Sequence, residues 1–215
     1  MADLDYKNLY ITQDMALDAV FGATDEFYLT GGTCLNRFYY EKRYSDDLDF
    51  FTNNSDLFRF AVNDVSDAFS ERRLDFARSV DGKDFVRFVV YEHGQPLQID
   101  FVNDRVKRIG VPLVRNGYKI DTLDNILSNK LTAIIGRDEP KDVFDIYIIA
   151  SFESVDWVKI LGYAKEKLTF QKEDLLYRLD TFPKTMLKKI KLVDKSFLDD
   201  FDKKYMQIID EIKRA

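Results

Sequence analysis

The sequence predicts an α+β fold: a mixed β-sheet flanked by helices over residues 1–120, followed by a C-terminal bundle of helices over residues 121–215. Segments rich in β-branched and aromatic residues lie before Thr122, whereas beyond it apolar residues recur at intervals of three and four. There is no internal repeat or low-complexity stretch, and the four prolines fall singly, so no long linker divides the chain.

The elements follow in order. Thr12 is placed to cap a short amphipathic helix carrying Met15, Leu17, Val20 and Phe21, ending near Gly22. Residues 27–30 read as a strand broken by Gly31-Gly32, and residues 33–40 resume as a helix. Residues 47–51 form a second strand, and a helix over 55–73 carries Leu57, Phe60, Ala61, Val65, Ala68 and Phe69 on its inner face. Residues 85–91 and 97–102 are strands joined through Glu92-His93-Gly94-Gln95-Pro96 into a hairpin. Leu123, Ile126, Leu127, Leu131, Ile134 and Ile135 then mark one helix, and Pro140 opens the next.

Composition narrows the function. Hydrophobic residues at 46% and charged residues at 33% are those of a globular protein, and 18 Phe with 12 Tyr promise a well-filled core. Thirty-two basic side chains against 38 acidic ones leave a net charge of −6, which excludes general coating of DNA and confines any nucleic-acid contact to a local basic patch. A single cysteine, Cys34, and a single histidine, His93, exclude a disulfide framework and a structural zinc site; Cys34 reads as packing and His93 as a turn residue, so no Cys-His pair is evident. The start of the sequence has no leader pattern and no run of about 18 apolar residues occurs, so no membrane association and a cytoplasmic location are expected.

The chemistry-bearing residues are mostly acids. Asp47 and Asp49, two apart on a strand, emerge on one face while Leu48 and Phe50 take the other. Two carboxylates near 5 Å apart repel by about 3 kcal/mol at an effective dielectric of 20, so a divalent cation between them is the natural remedy. Asp100 is the lone acid among Leu97, Ile99 and Phe101, and if its strand lies beside the first, three oxygen donors suit Mg²⁺ or Mn²⁺. Gly31 and Gly32 open a helix whose N–H groups favour phosphate, with the Thr33 hydroxyl at the same place. Further on, Lys130, Ala133 and Arg137 share a helical face, and Lys141, Asp142 and Asp145 follow in the first turns of the next helix. Taken alone, Asp-x-Asp is also a solvated strand entry and a glycine pair also a tight turn; their order along one chain is what informs.

The string Tyr28-Leu29-Thr30-Gly31-Gly32-Thr33, followed by Arg43-Tyr44-Ser45-Asp46-Asp47-Leu48-Asp49-Phe50-Phe51, resembles the signature of the DNA polymerase beta superfamily of nucleotidyltransferases. With Lys130-Leu131-x-Ala133, Arg137, Lys141-Asp142 and Asp145, it is similar to the AbiEii-type branch, toxins of abortive-infection toxin–antitoxin systems, over roughly residues 27–150. The resemblance implies a nucleotidyltransferase fold, with residues 121–215 closing the nucleotide site. It implies catalytic roles for Asp47, Asp49, Asp100, Lys130 and Asp142, with the first three binding metal and Asp100 helping to activate the acceptor hydroxyl. Gly31, Gly32, Thr33, Lys130, Arg137, Lys141 and Asp145 would hold the nucleotide. The implied reaction takes a nucleoside triphosphate (NTP), uses Mg²⁺ or Mn²⁺, and modifies RNA, with tRNA as the expected acceptor and a cognate antitoxin as a possible partner. A GTP-binding toxin or regulator without transfer, and an adenylyltransferase acting on a small molecule such as an aminoglycoside, are the competing readings. Lys184, Lys188, Lys189, Lys191 and Lys195 form a basic run that reads first as a solvated face and second as an RNA contact.

Overall fold

The computed structural model describes residues 4–215. Its seven strands are β1 (Tyr28–Thr30), β2 (Asp47–Asn53), β3 (Phe76–Asp81), β4 (Phe85–Glu92), β5 (Gln95–Asp104), β6 (Leu113–Arg115) and β7 (Tyr118–Ile120). They form one mixed sheet in the order β3-β4-β5-β2-β1-β7-β6. β2 runs parallel to β5 and β1 parallel to β7, while the remaining neighbours are antiparallel. The helices are α1 (Tyr6–Ala23), α2 (Gly31–Phe38), α3 (Phe58–Glu71), α4 (Leu123–Gly136), α5 (Pro140–Phe152), α6 (Trp157–Lys167), α7 (Lys172–Asp180) and α8 (Phe201–Arg214). The class is the α+β arrangement with C-terminal helices that the periodicities predict. Among the described residues no helix is long and apolar enough to cross a membrane.

The chain gathers into two compact units. One runs through Cys34 and takes up again over Ser45–Val106 and Pro112–Asp121; the other comprises Leu35–Tyr44, Lys107–Val111 and Thr122–Ala215. The sheet belongs wholly to the first, where two-residue alternation separates its faces. Leu48, Phe50, Val86, Phe88, Ile99 and Phe101 are fully enclosed, and Phe101 stacks on Phe50 at 5.4 Å and meets Phe88 edge-on at 5.2 Å. In the second unit α4 and α5 bury Ile126, Leu131, Val143, Phe144 and Ile148, and Pro140 occupies the first turn of α5, where its missing N–H costs nothing.

Several local expectations are corrected. Asp5 rather than Thr12 caps α1: its carboxylate accepts from the Lys7 and Asn8 backbone N–H groups, while the buried Thr12 hydroxyl donates back to the Asn8 carbonyl within the helix. The helix expected over 55–73 begins at Phe58, because the Ser55 N–H is drawn to the Asn103 side chain; Leu57 and Phe60 face solvent. Strand β3 has no fully buried side chain and four of its six are exposed, so its apolar alternation is weak. The β6–β7 hairpin turns on Asn116-Gly117, both with positive φ as a type I′ turn requires, and its short arms escaped the periodicity reading.

Candidate active site

In the first unit, strand register places four side chains in one row on one face of the sheet. Thr30 on β1 pairs with Asp49 on β2, Asp49 with Asp100 on β5, and Asp100 with Arg87 on β4. Paired residues in adjacent strands point to the same face about 4.8 Å apart, so Asp49 and Asp100 are direct neighbours, and Asp47 joins them two residues along β2. At one end of the row the Thr30 hydroxyl donates to the fully buried Asp121 carboxylate at 2.6 Å.

The glycine turn abuts this row. Gly31 starts α2 with φ +71°, and a Cβ built on it would lie 2.4 Å from Oδ2 of Asp49. Both the left-handed backbone and the close approach of the carboxylate therefore require glycine. The neighbouring Thr33 is fully buried and its hydroxyl donates to the Asp47 carbonyl. That bond ties the turn to β2; it spends the donor that was expected to face a phosphate. Gly31→Ala is expected to displace the Asp49 carboxylate, lower any activity carried by these acids at least about a hundredfold and destabilise the fold by about 1–2 kcal/mol. Thermal melting alongside an activity assay reads both, and activity at the wild-type level would contradict the contact.

Asp100 is held differently from the other two acids. Arg87 grips it with a two-pronged ion pair, Nε to Oδ1 at 2.7 Å and Nη2 to Oδ2 at 2.8 Å, and Gln98 donates to Oδ2 at 3.2 Å. The Asp100 hydrogen bond, with the charges of Asp100, Asp49 and Asp47, raises the Arg87 pKa above the ordinary arginine range despite partial burial. Among the described residues, no three His, Cys, Asp or Glu side chains gather closely enough to hold an ion as they stand. By chemistry Asp47 and Asp49 fit a hard divalent cation, two carboxylates on one open face; Asp100 does not fit in this arrangement, because Arg87 takes both its oxygens.

The second unit contains a separate charged cluster. Lys130 on α4 lies between two acids of α5, 2.8 Å from Asp142 Oδ1 and 2.7 Å from Asp145 Oδ2. Arg43, only 2% exposed, forks onto Asp145 through Nε at 2.8 Å and Nη2 at 2.9 Å. Its backbone N–H donates to Asn36 Oδ1 at 3.1 Å. Arg137 is not on the helix face expected for it: it follows α4 with extended backbone, from where Nε reaches Asp142 Oδ2 at 2.7 Å. Its side chain is 61% exposed and is the accessible cation of the group. Asp145, expected to hold nucleotide, is fully enclosed with its oxygens on Arg43 and Lys130, and it fixes those two cations. Lys141 lies in the first turn of α5, half-buried.

Electrostatics in this cluster is decided by pairing over burial. Burial alone pushes both carboxylates up, but Lys130 and Arg137 outweigh it at Asp142, and Arg43 with Lys130 draws Asp145 down to about 2. Burial pulls Lys130 down, and Asp145 with Asp142 more than reverses this. A carboxyl whose pKa is lower folded than unfolded contributes stability above its unfolded value, near 3.9, and loses it as pH falls through the folded one. The melting temperature is therefore expected to fall steeply between about pH 4 and about pH 2, and less steeply in Asp145→Asn. Equal slopes in a series of melts would remove Asp145 from the acid response.

The sequence reading missed Arg87, Thr30, Asp121, Asn36 and the role of Arg43. Thr30, Asp121 and Arg43 are recognisable only through partners far away in the chain, whereas Arg87 and Asn36 have theirs within a hairpin or a short loop.

Comparison with known proteins agrees with this architecture. Structures similar to the chain include a Helicobacter pylori protein described as a nucleotidyltransferase (20% identity, TM-score 0.67, covering 98% of this chain and 95% of that one). JHP933 from Helicobacter pylori is similar at 19% identity and TM-score 0.57, covering 100% and 83%. MenT4, a nucleotidyltransferase toxin from Mycobacterium tuberculosis, matches at 16% identity and TM-score 0.52, covering 85% and 66%. At these identities the likeness concerns the fold. No curated protein matches the sequence significantly. The family model described as "Nucleotidyl transferase AbiEii toxin, Type IV TA system" matches residues 16–214, nearly the whole chain. A sheet carrying three acids beside a glycine turn, followed by helices with the Lys130–Asp142 pair, is thus found in a chain that belongs to the AbiEii nucleotidyltransferase toxin family of type IV toxin–antitoxin systems.

Proposed function

We propose that this nucleotidyltransferase transfers a nucleoside monophosphate from an NTP to a hydroxyl of RNA, with tRNA as the acceptor class, in a reaction that depends on Mg²⁺ or Mn²⁺. The observation that carries the reading is the alignment of Asp47, Asp49 and Asp100 on one sheet face, with the Gly31 backbone against the Asp49 carboxylate. The acceptor oxygen attacks the α-phosphorus, the bond to the β-phosphate breaks, pyrophosphate leaves and the hydroxyl proton passes to solvent. Asp47 and Asp49 would hold the divalent cation, which supplies charge neutralisation at the attacking and leaving oxygens. Gly31, Gly32 and Thr33 at the start of α2 form the turn on which the phosphates would sit, at the favourable end of the helix dipole. Arg137, exposed at its guanidinium, and Lys141 are the second unit's candidates for phosphate contact, while Lys130 and Asp142 carry the family motif there. A cytoplasmic location and control by a cognate antitoxin complete the proposal, in keeping with the family.

The test is incubation of the purified protein with each labelled NTP, Mg²⁺ and total RNA, in wild type and Asp47→Ala. Label on RNA that disappears with Asp47→Ala is the expected result. Nucleotide binding without transfer would instead indicate a GTP-binding toxin or regulator, and label on small molecules alone an antibiotic-type adenylyltransferase.

A further inference from the structure

From the row on the sheet face we infer that Arg87 acts as a built-in cation: it takes the third acid, Asp100, out of the metal site, so that the nucleotide-free protein binds a single divalent ion, on Asp47 and Asp49. The inference rests on the proposed metal site and concerns how many ions this chain itself holds. Among Asp47, Asp49, Asp100 and Arg87 the guanidinium cancels one of three carboxylate charges, leaving two negatives on Asp47 and Asp49, which one divalent ion neutralises. The guanidinium is no distant bystander. It is fixed by two bonds of 2.7 and 2.8 Å and lies over the Phe85 ring at 5.4 Å, and Gln98, opposite Asp47 in the register, steadies the same carboxylate. A second ion would have to displace a two-pronged charged pair before reaching Asp100 and would meet the guanidinium charge on arrival. Arg87 is accordingly a positioning residue: it holds Asp100 and sets ion number.

Mn²⁺ titration followed by electron paramagnetic resonance, without nucleotide, tests this on the intact chain. Wild type is expected to bind one Mn²⁺, lost in Asp49→Asn. Arg87→Ala should tighten Mn²⁺ binding by about tenfold or add a second ion, the least that removing a unit charge several ångströms from a divalent ion does through water. Arg87→Ala combined with Asp100→Asn should cancel that gain, and Arg87→Lys, which keeps the charge, should bind as wild type does. Two ions of similar affinity in wild type, or unchanged binding in Arg87→Ala that melts normally, would overturn the inference and leave the metal site standing. Absence of Mn²⁺ binding in wild type, or binding that persists in Asp49→Asn, would overturn the metal site itself and the inference with it.

Discussion

Asp49→Asn is expected to lower nucleotidyl transfer about a thousandfold while leaving the melting temperature unchanged or slightly raised. The activity loss corresponds to about 4 kcal/mol of transition-state stabilisation, the scale on which charge neutralisation at a phosphoryl group acts. The stability result follows from register. Asp49 sits directly across from Asp100 on the parallel neighbour β5, so its repulsion from that like charge offsets its attraction to the Arg87 guanidinium. The amide is nearly the same size as the carboxylate, so the Gly31 backbone keeps its neighbour. Loss of transfer with a melting temperature lower by several degrees would show that Asp49 is holding the sheet together, and the catalytic reading would lose its footing. The expected pattern is the usual one where an enzyme keeps repelling groups together for the sake of chemistry.

What was legible in the sequence follows the range of the physics. Alternation along β2 is local, so the shared face of Asp47 and Asp49 and the opposite burial of Leu48 and Phe50 could be read from seven residues. The β4–β5 hairpin was legible from its turn, and it contained more than was taken from it. Once Glu92 pairs with Gln95 across the turn, the antiparallel register puts Arg87 opposite Asp100. An arginine alternating with Val86 and Phe88 was the signal overlooked. By contrast, the parallel pairing of β2 with β5 joins segments about fifty residues apart with no turn to set it, and only the hydrophobic faces specify it. The surroundings of Asp145 were hidden for a similar reason. Its place three residues after Asp142 is visible along the helix, but its burial depends on Arg43, 102 residues earlier. The ion pair that encloses this carboxylate was therefore not legible beside the nucleotide-binding role expected of it.

That burial carries the largest expected effect on stability. Asp145→Ala should cost about 3–5 kcal/mol and lower the melting temperature by about 10 °C, because it takes from the enclosed Arg43 guanidinium the carboxylate that it forks onto. Arginine has no neutral form to retreat to at accessible pH, so the penalty cannot be relieved by losing a proton. Arg43→Met should cost less. The Asp145 carboxylate left behind keeps Lys130 at 2.7 Å, and an acid without a partner can take up a proton. Replacing both, Arg43→Met with Asp145→Leu, should recover most of the loss, since a buried pair exchanged for apolar groups of similar volume is close to neutral in energy. Denaturant melts of the three variants give the order, and the asymmetry between the singles is the decisive reading: equal costs would mean that Lys130 does not support Asp145. Lys130 is itself shared between Asp145 and Asp142, so Asp145→Ala also frees it to lean wholly on Asp142. Any fall in transfer beyond what the lost stability explains would then measure how far the Lys130 ammonium must be held in place for the reaction.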